Sequence, residues 1–107
     1  MAANLTEKEF SKHLNTKFRV ELNGENSVDL ELIEVKGYLS KHIEQTGMER
    51  FSVYFQGPPE TFLPQKLYAF RHAGMGSFEM FLVPIAKNDR GFSYESVFNY
   101  FKTVSED

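Results

Sequence analysis

The chain contains no cysteine and no tryptophan, and it has neither a long apolar run nor an excess of basic residues. Without cysteine there is no disulfide framework, no thiolate nucleophile and no cysteine-ligated zinc or iron–sulfur centre. No stretch approaches the roughly 20 consecutive apolar residues of a membrane-spanning helix. Met1 to Leu5 also lacks the basic-then-apolar order of a secretory leader. A cytoplasmic location is therefore expected, or export only as part of a larger assembly. Lys and Arg number 12 against 15 Asp and Glu, for a net charge of −3. Nucleic acid, whose phosphates demand clustered Lys and Arg, is accordingly excluded as an expected partner, as is a membrane.

What the chain does have is aromatic residues, 11 Phe and 5 Tyr in 107 residues. Each large ring removes much apolar area from water without adding residues to be ordered, which suits a small core. The length fits a single domain, 1–107, because so short a chain can scarcely divide into two cores. The rings are spaced with a period of two. Phe51, Val53 and Phe55 fall on one side of a pleated strand, and Ser52, Tyr54 and Gln56 fall on the other.

One short helix is expected at the start, where Thr6 and Glu9 have the spacing of a capping box and Leu5 with Phe10 that of a hydrophobic staple. Phe10 and Leu14, four apart, would form the face that plugs one end of a sheet. Strands follow. Phe18, Val20 and Leu22 alternate with charged residues, and Asn23-Gly24-Glu25-Asn26 supplies the positive φ angles of a hairpin. Val28, Leu30 and Leu32 continue the apolar face until Leu32-Ile33 shifts phase, so that Ile33 and Val35 carry it on. Such a slip is what a β-bulge produces, and bulges bend a sheet toward closure.

A polar stretch from Ser40 to Met48 reads as a loop, and the third strand, Glu49 to Gln56, stops at Gly57-Pro58-Pro59. A fourth strand runs from Lys66 to His72, with Tyr68 and Phe70 together. Ala73-Gly74-Met75-Gly76 then turns into a fifth, Ser77 to Ile85. Asn88-Asp89-Arg90-Gly91 leads to the last, where Phe92, Tyr94, Phe98 and Tyr100 share a parity and are assigned to core packing. The fold class expected is mainly β: about six antiparallel strands in a small barrel or sandwich, with one short N-terminal helix. The fifth strand is apolar on both faces, so it lies under the helix or in a contact with another subunit. Phe81, Val83 and Ile85, with Phe101 on the last strand, are the candidate interaction face.

Candidates for chemistry are generic. The histidines, His13, His42 and His72, are about 30 residues apart, without a His-x-x-x-His pair, so no metal is expected. His42 reads as a loop residue and His72 as a strand end. Glu31, Glu34 and Glu79 with Arg50 and Arg71 could form an acid/base site, but cross-strand ion pairs explain the same residues. Ser52, Ser77, Ser93 and Ser96 sit in no nucleophile elbow. Gly74-Met75-Gly76 opens a strand, where a phosphate loop opens a helix. No catalytic residue and no cofactor is assigned.

Several blocks in order resemble a small bacterial domain family of unknown function. They are Leu5-Thr6-Glu7-Lys8-Glu9-Phe10, His13 through Val20, Leu30 through Val35, Glu49-Arg50-Phe51-Ser52-Val53, Phe55-Gln56-Gly57-Pro58, Leu63-Pro64-Gln65, Gly76 through Pro84 and Tyr94 through Asn99. The resemblance implies a compact β-rich domain, no established activity, and an association with phage-tail-like or surface-exposed gene products. It supplies no catalytic residues, and the chain departs from the pattern most between Leu39 and Met48.

The expected function is that of a structural or protein-interaction module, docking into an assembly or self-associating. The partner would be a protein or a second copy. A barrel that holds a small apolar ligand among its inward aromatics is the alternative. A small enzyme using Glu and Arg groups ranks behind both.

Overall fold

The computed structural model describes residues 5–38 and 48–101. Its elements are α1 (Glu7–Ser11), β1 (Lys17–Asn23), β2 (Asn26–Tyr38), β3 (Met48–Gln56), β4 (Lys66–His72), β5 (Gly76–Asn88) and β6 (Gly91–Phe101). Of the expected loop from Ser40 to Met48, residues 40–47 lie outside the described residues, and Met48 already opens β3.

All six strands belong to one antiparallel sheet, in the order β1-β2-β3-β6-β5-β4, and β4 returns to pair with β1. The sheet closes on itself, so the architecture is a single closed layer and not two packed ones. Three of the hairpins turn where a residue tolerates positive φ: Gly24 at 53°, Gly76 at 86° and Gly91 at 132°. At Gly91 a side chain would also collide with the backbone of Gly57 and Pro58, so the β5–β6 turn and the loop after β3 close on each other through bare backbone.

Alternation fills the interior. Phe18, Val20, Leu30, Leu32, Phe51, Val53, Phe55, Phe70, Met80, Leu82 and Tyr94 are all buried in one cluster. Their rings meet at packing distance, Phe18 to Phe55 at 5.3 Å and Phe51 to Phe98 at 4.8 Å between centroids. Full burial of each such side chain stabilises the fold by about 1.5–3 kcal/mol relative to leaving it exposed. Phe92 and Phe98 pack against this cluster from β6. The bulge in β2 falls at the expected place, between Leu32 and Glu34 in their pairing with β3. Ile33, however, does not continue the apolar face: it is the extra residue of the bulge and points outward, 39% exposed, while Val35 opposite Val53 resumes the core.

The helix is capped as its sequence indicates, with Thr6 Oγ1 accepting from the Glu9 amide at 3.1 Å. It ends at Ser11, earlier than a Phe10–Leu14 face would need, and Leu14 is exposed. Phe10 alone enters the sheet, 5.6 Å from Phe98 and 6.1 Å from Phe51. Asn15, at φ 67°, reverses the chain, and the Asn15 amide donates to the Leu32 carbonyl at 2.7 Å. The other end of the β3–β6 pair is covered by the loop after Gln56. There Leu63 is buried, and its amide donates to the Tyr94 hydroxyl at 3.0 Å.

Candidate functional site

Three features stand out once the interior is filled: an apolar outer wall, a cationic cleft and a half-buried histidine hub.

The wall comes from the second face of β5. Met80 and Leu82 point inward, so Phe81 and Val83 must point out. Phe81 is 50% exposed and lies directly across the ladder from Leu67 of β4, itself 54% exposed. Val97 of β6 is 50% exposed, and the neighbouring Ser96 donates its hydroxyl to the Phe81 carbonyl just beyond the last β5–β6 pair before it, Val83 with Glu95. Ile85, half-exposed, is the extra residue of a second bulge, between Pro84 and Ala86. Val83 is partly buried. Phe101 ends β6 opposite Met48, and its side chain lies outside the described residues. The helix packs on β2 and β3 and does not cover this wall. The candidate face therefore gathers Leu67 and Val97, which periodicity within β5 could not place because hairpin register decides which residues of the flanking strands stand beside Phe81.

Around the cylinder from the wall, an open depression of about 390 Å³ is lined by Lys17, Arg19, Asp29, Arg71, His72 and Ser77, among others. Arg19 of β1 and Arg71 of β4 are direct cross-strand partners, a pairing of like charges that is unfavourable by itself. Each has its own carboxylate, on β2 for Arg19 and across the ladder on β1 for Arg71. Arg19 Nε lies 3.6 Å from Asp29, and Arg71 Nε lies 2.8 Å from Glu21. A further ion pair joins Arg90 to Glu31 at 3.7 Å. The residues singled out for acid/base work are thus distributed, not gathered: Glu31 is on β2 and Glu79 on β5, strands that do not adjoin. Arg71 and Glu31 do form ion pairs, with Glu21 and Arg90 as partners.

His72 ends β4, as its sequence position indicates, yet it is more than a strand end. Its Nδ1 accepts from the amides of Gly74 and Met75 at 2.9 and 3.1 Å, and its Nε2 meets Thr16 Oγ1 at 2.9 Å. The Thr16 hydroxyl donates to the His13 carbonyl at 2.6 Å, so Nε2–H must be the donor to Thr16 and the ring is the neutral Nε2–H tautomer. It packs 4.1 Å from the Phe18 ring and 4.5 Å from His13. Burial lowers the His72 pKa below the usual histidine value, and the neighbouring His13 lowers it further. No group of three or more ligating side chains exists among the described residues, and both His72 nitrogens are engaged. His42 lies outside the described residues.

Tyr94 and Tyr68 are the inward phenols of the other end. Tyr94 accepts from Leu63 and donates to the Thr61 carbonyl, and Tyr68 donates to the Pro64 carbonyl. Burial raises both pKa values. For Tyr94 the Leu63 amide pulls partly the other way, and for Tyr68 the nearby Tyr94 adds to the rise. No buried side-chain nitrogen or oxygen among the described residues lacks a hydrogen-bond partner. No described helix is long and apolar enough to cross a membrane.

With this geometry in place, the comparisons are brief. The model of a family described as a domain of unknown function, DUF6916, matches residues 5–98 of the chain. No curated protein and no solved structure matches it.

Proposed function

We propose that this chain, which belongs to the DUF6916 family, is a protein-interaction module that docks through the outer wall of β4, β5 and β6. The observation that carries the reading is the cross-strand pair Leu67 and Phe81, both more or less half-exposed at the centre of a closed sheet. Isolated exposed apolar residues need no explanation, but adjacent large ones flanked by Val97 and Ile85 make a contiguous patch of the kind that marks a contact. A phage-tail-like or surface assembly, the setting implied by resemblance, is one in which such a wall would be covered. The alternative, a small apolar ligand inside the closed sheet, draws no support from the interior. Phe10, Phe18, Phe51, Phe55, Phe70 and Tyr94 already occupy it at contact distance.

Phe81→Asp tests the reading. The substitution is expected to leave the circular dichroism spectrum and the thermal midpoint close to those of the parent, because the side chain is outside the core, and to abolish association seen by light scattering. Unfolding of the monomer, or association that persists unchanged, would overturn it.

A further inference from the structure

We infer that the β4–β5 turn, residues 73–75, is a proton-operated latch: the neutral His72 ring holds it onto the helix end of the closed sheet, and protonation of that ring at Nδ1 lets it go. The latch is separate from the docking wall and does not depend on it.

Hydrogen-bond polarity carries the argument. The amides of Gly74 and Met75 both donate to Nδ1, at 2.9 and 3.1 Å, and the Gly74 bond is exposed to solvent. A proton taken up there replaces the lone pair with an N–H, which then faces two other N–H groups, and both bonds are lost. The other nitrogen behaves differently. Nε2–H already donates to Thr16 Oγ1, at 2.9 Å, and keeps that bond in the imidazolium. Phe18 and His13 pack against the ring at 4.1 and 4.5 Å between centroids. The ring is therefore fixed from β1 and from the chain after α1, and the turn is the part that moves.

The movement has a defined extent. Below the turn the ladder continues through Arg71 with Ser77 and Phe70 with Phe78, pairs that owe nothing to the His72 ring. Gly74 rests on His13 through bare backbone, since a Cβ there would come within 2.6 Å of the His13 ring. Ala73 and Gly74 are exposed, whereas Met75 is 8% exposed and belongs to the core cluster. Release of the turn thus uncovers an apolar site at the helix end while the strands stay paired.

The charges around the ring decide when this happens. His13 faces it from the chain after α1, and Glu9 of α1 lies 3.6 Å from His13. Lys17 and Arg19 of β1, Asp29 of β2 and Arg71 of β4 line the same open depression as His72, and β5 adds no charge there. Asp29 and Glu21 offset the two arginines, but His13 opposes a positive charge on its neighbour. Burial, with His13 adding to it, holds the His72 pKa below the usual histidine value, so the turn is closed at neutral pH and opens in mild acid.

The test follows amide exchange and the His72 ring nitrogens by NMR in the isotopically labelled chain, from about pH 7.5 down to about 4.5. Protection of the Gly74 and Met75 amides, corrected for the intrinsic pH dependence of exchange, is expected to fall by about tenfold or more through the same midpoint as Nδ1 titrates, while Val53 and Phe55 in β3 stay protected. His72→Asn is the matched variant, because the asparagine Oδ1 can take the place of Nδ1 and accept the same two amides without titrating. In it, Gly74 and Met75 should stay protected throughout. His13→Gln removes the neighbouring imidazole and should leave the transition in place at a higher pH. The latch is overturned if Gly74 and Met75 keep their protection after Nδ1 has taken its proton, or if the ring stays neutral to the end of the titration. It is equally overturned if protection is lost only together with that of Val53 and Phe55, which is global unfolding. Those three outcomes are read from the parent chain alone, whether or not a variant folds. A transition that persists in His72→Asn, or vanishes in His13→Gln, assigns the proton elsewhere and overturns it as well.

Discussion

The two ends of the closed sheet are sealed by different chemistry. At one, α1 inserts Phe10 among Phe18, Phe51, Phe78 and Phe98, and an imidazole, His72, ties the chain after the helix to the β4–β5 turn. At the other, an irregular loop lays Leu63 over Tyr94, and two phenols hold its backbone. A helix satisfies its own amides and can present a purely apolar side chain. A loop cannot, so its buried amides must borrow oxygens from the wall, and the core at that end contains hydroxyls. The helix end is therefore sensitive to lost volume and to mild acid, the loop end to lost hydrogen bonds and to strong base.

The most damaging way to test this contrast is Phe10→Ala, which leaves a void amid four aromatic rings. It should cost about 3–5 kcal/mol, read as a shift in the urea midpoint without a change in slope. A loss below about 1 kcal/mol would mean that the helix is not a plug. At the loop end, Tyr94→Phe changes volume little but strands the buried Leu63 amide. A loss of about 1–3 kcal/mol is expected, together with faster hydrogen exchange at Leu63.

The smallest effect is the pH dependence. His72 has a folded pKa lowered from the unfolded value, so the unfolded chain takes up the proton first. Its contribution is complete above about 6.5, the ordinary histidine value, and is lost as pH falls through the depressed folded value. The groups facing it are His13 and, beyond that, Glu9, 3.6 Å from His13. Thermal midpoints measured downward from pH 8 should fall through that window in the parent, and fall less in His72→Ala. The phenols behave oppositely: with folded pKa values raised, their contribution is present below about 10 and lost as pH rises through the raised value. A midpoint that does not change from pH 8 to 5 would erase the distinction between the ends.

Much of the fold was legible because it rests on local rules. The alternation of Phe51, Val53 and Phe55, the Thr6 cap and the Asn-Gly turn each act over a few residues, and each appears as its spacing requires. The slip after Leu32 was legible as a bulge, but not the direction of Ile33, because an extra residue is oriented by the strand it faces and not by its own neighbours. The bulge at Ile85 was hidden for a related reason: a run that is apolar on both faces carries no phase to lose. Closure was beyond reach. The β3–β6 and β1–β4 pairings join segments far apart in sequence, and the second alone brings Arg19 against Arg71. His72 looked bland for the same reason, since its ring partners Thr16, His13 and Phe18 arrive from across that closure.

The closure is also uneven. β3 is paired with β6 from Met48 to Gln56, whereas the ladder joining β1 to β4 is confined to Arg19 with Arg71, Val20 with Phe70 and Glu21 with Ala69. A cylinder opens first along its shortest ladder, so this seam is the natural place for partial unfolding to begin. The cationic cleft straddles that seam. Whatever binds both arginines at once fastens the sheet shut, and the free energy of association is then shared with the free energy of keeping the cylinder closed.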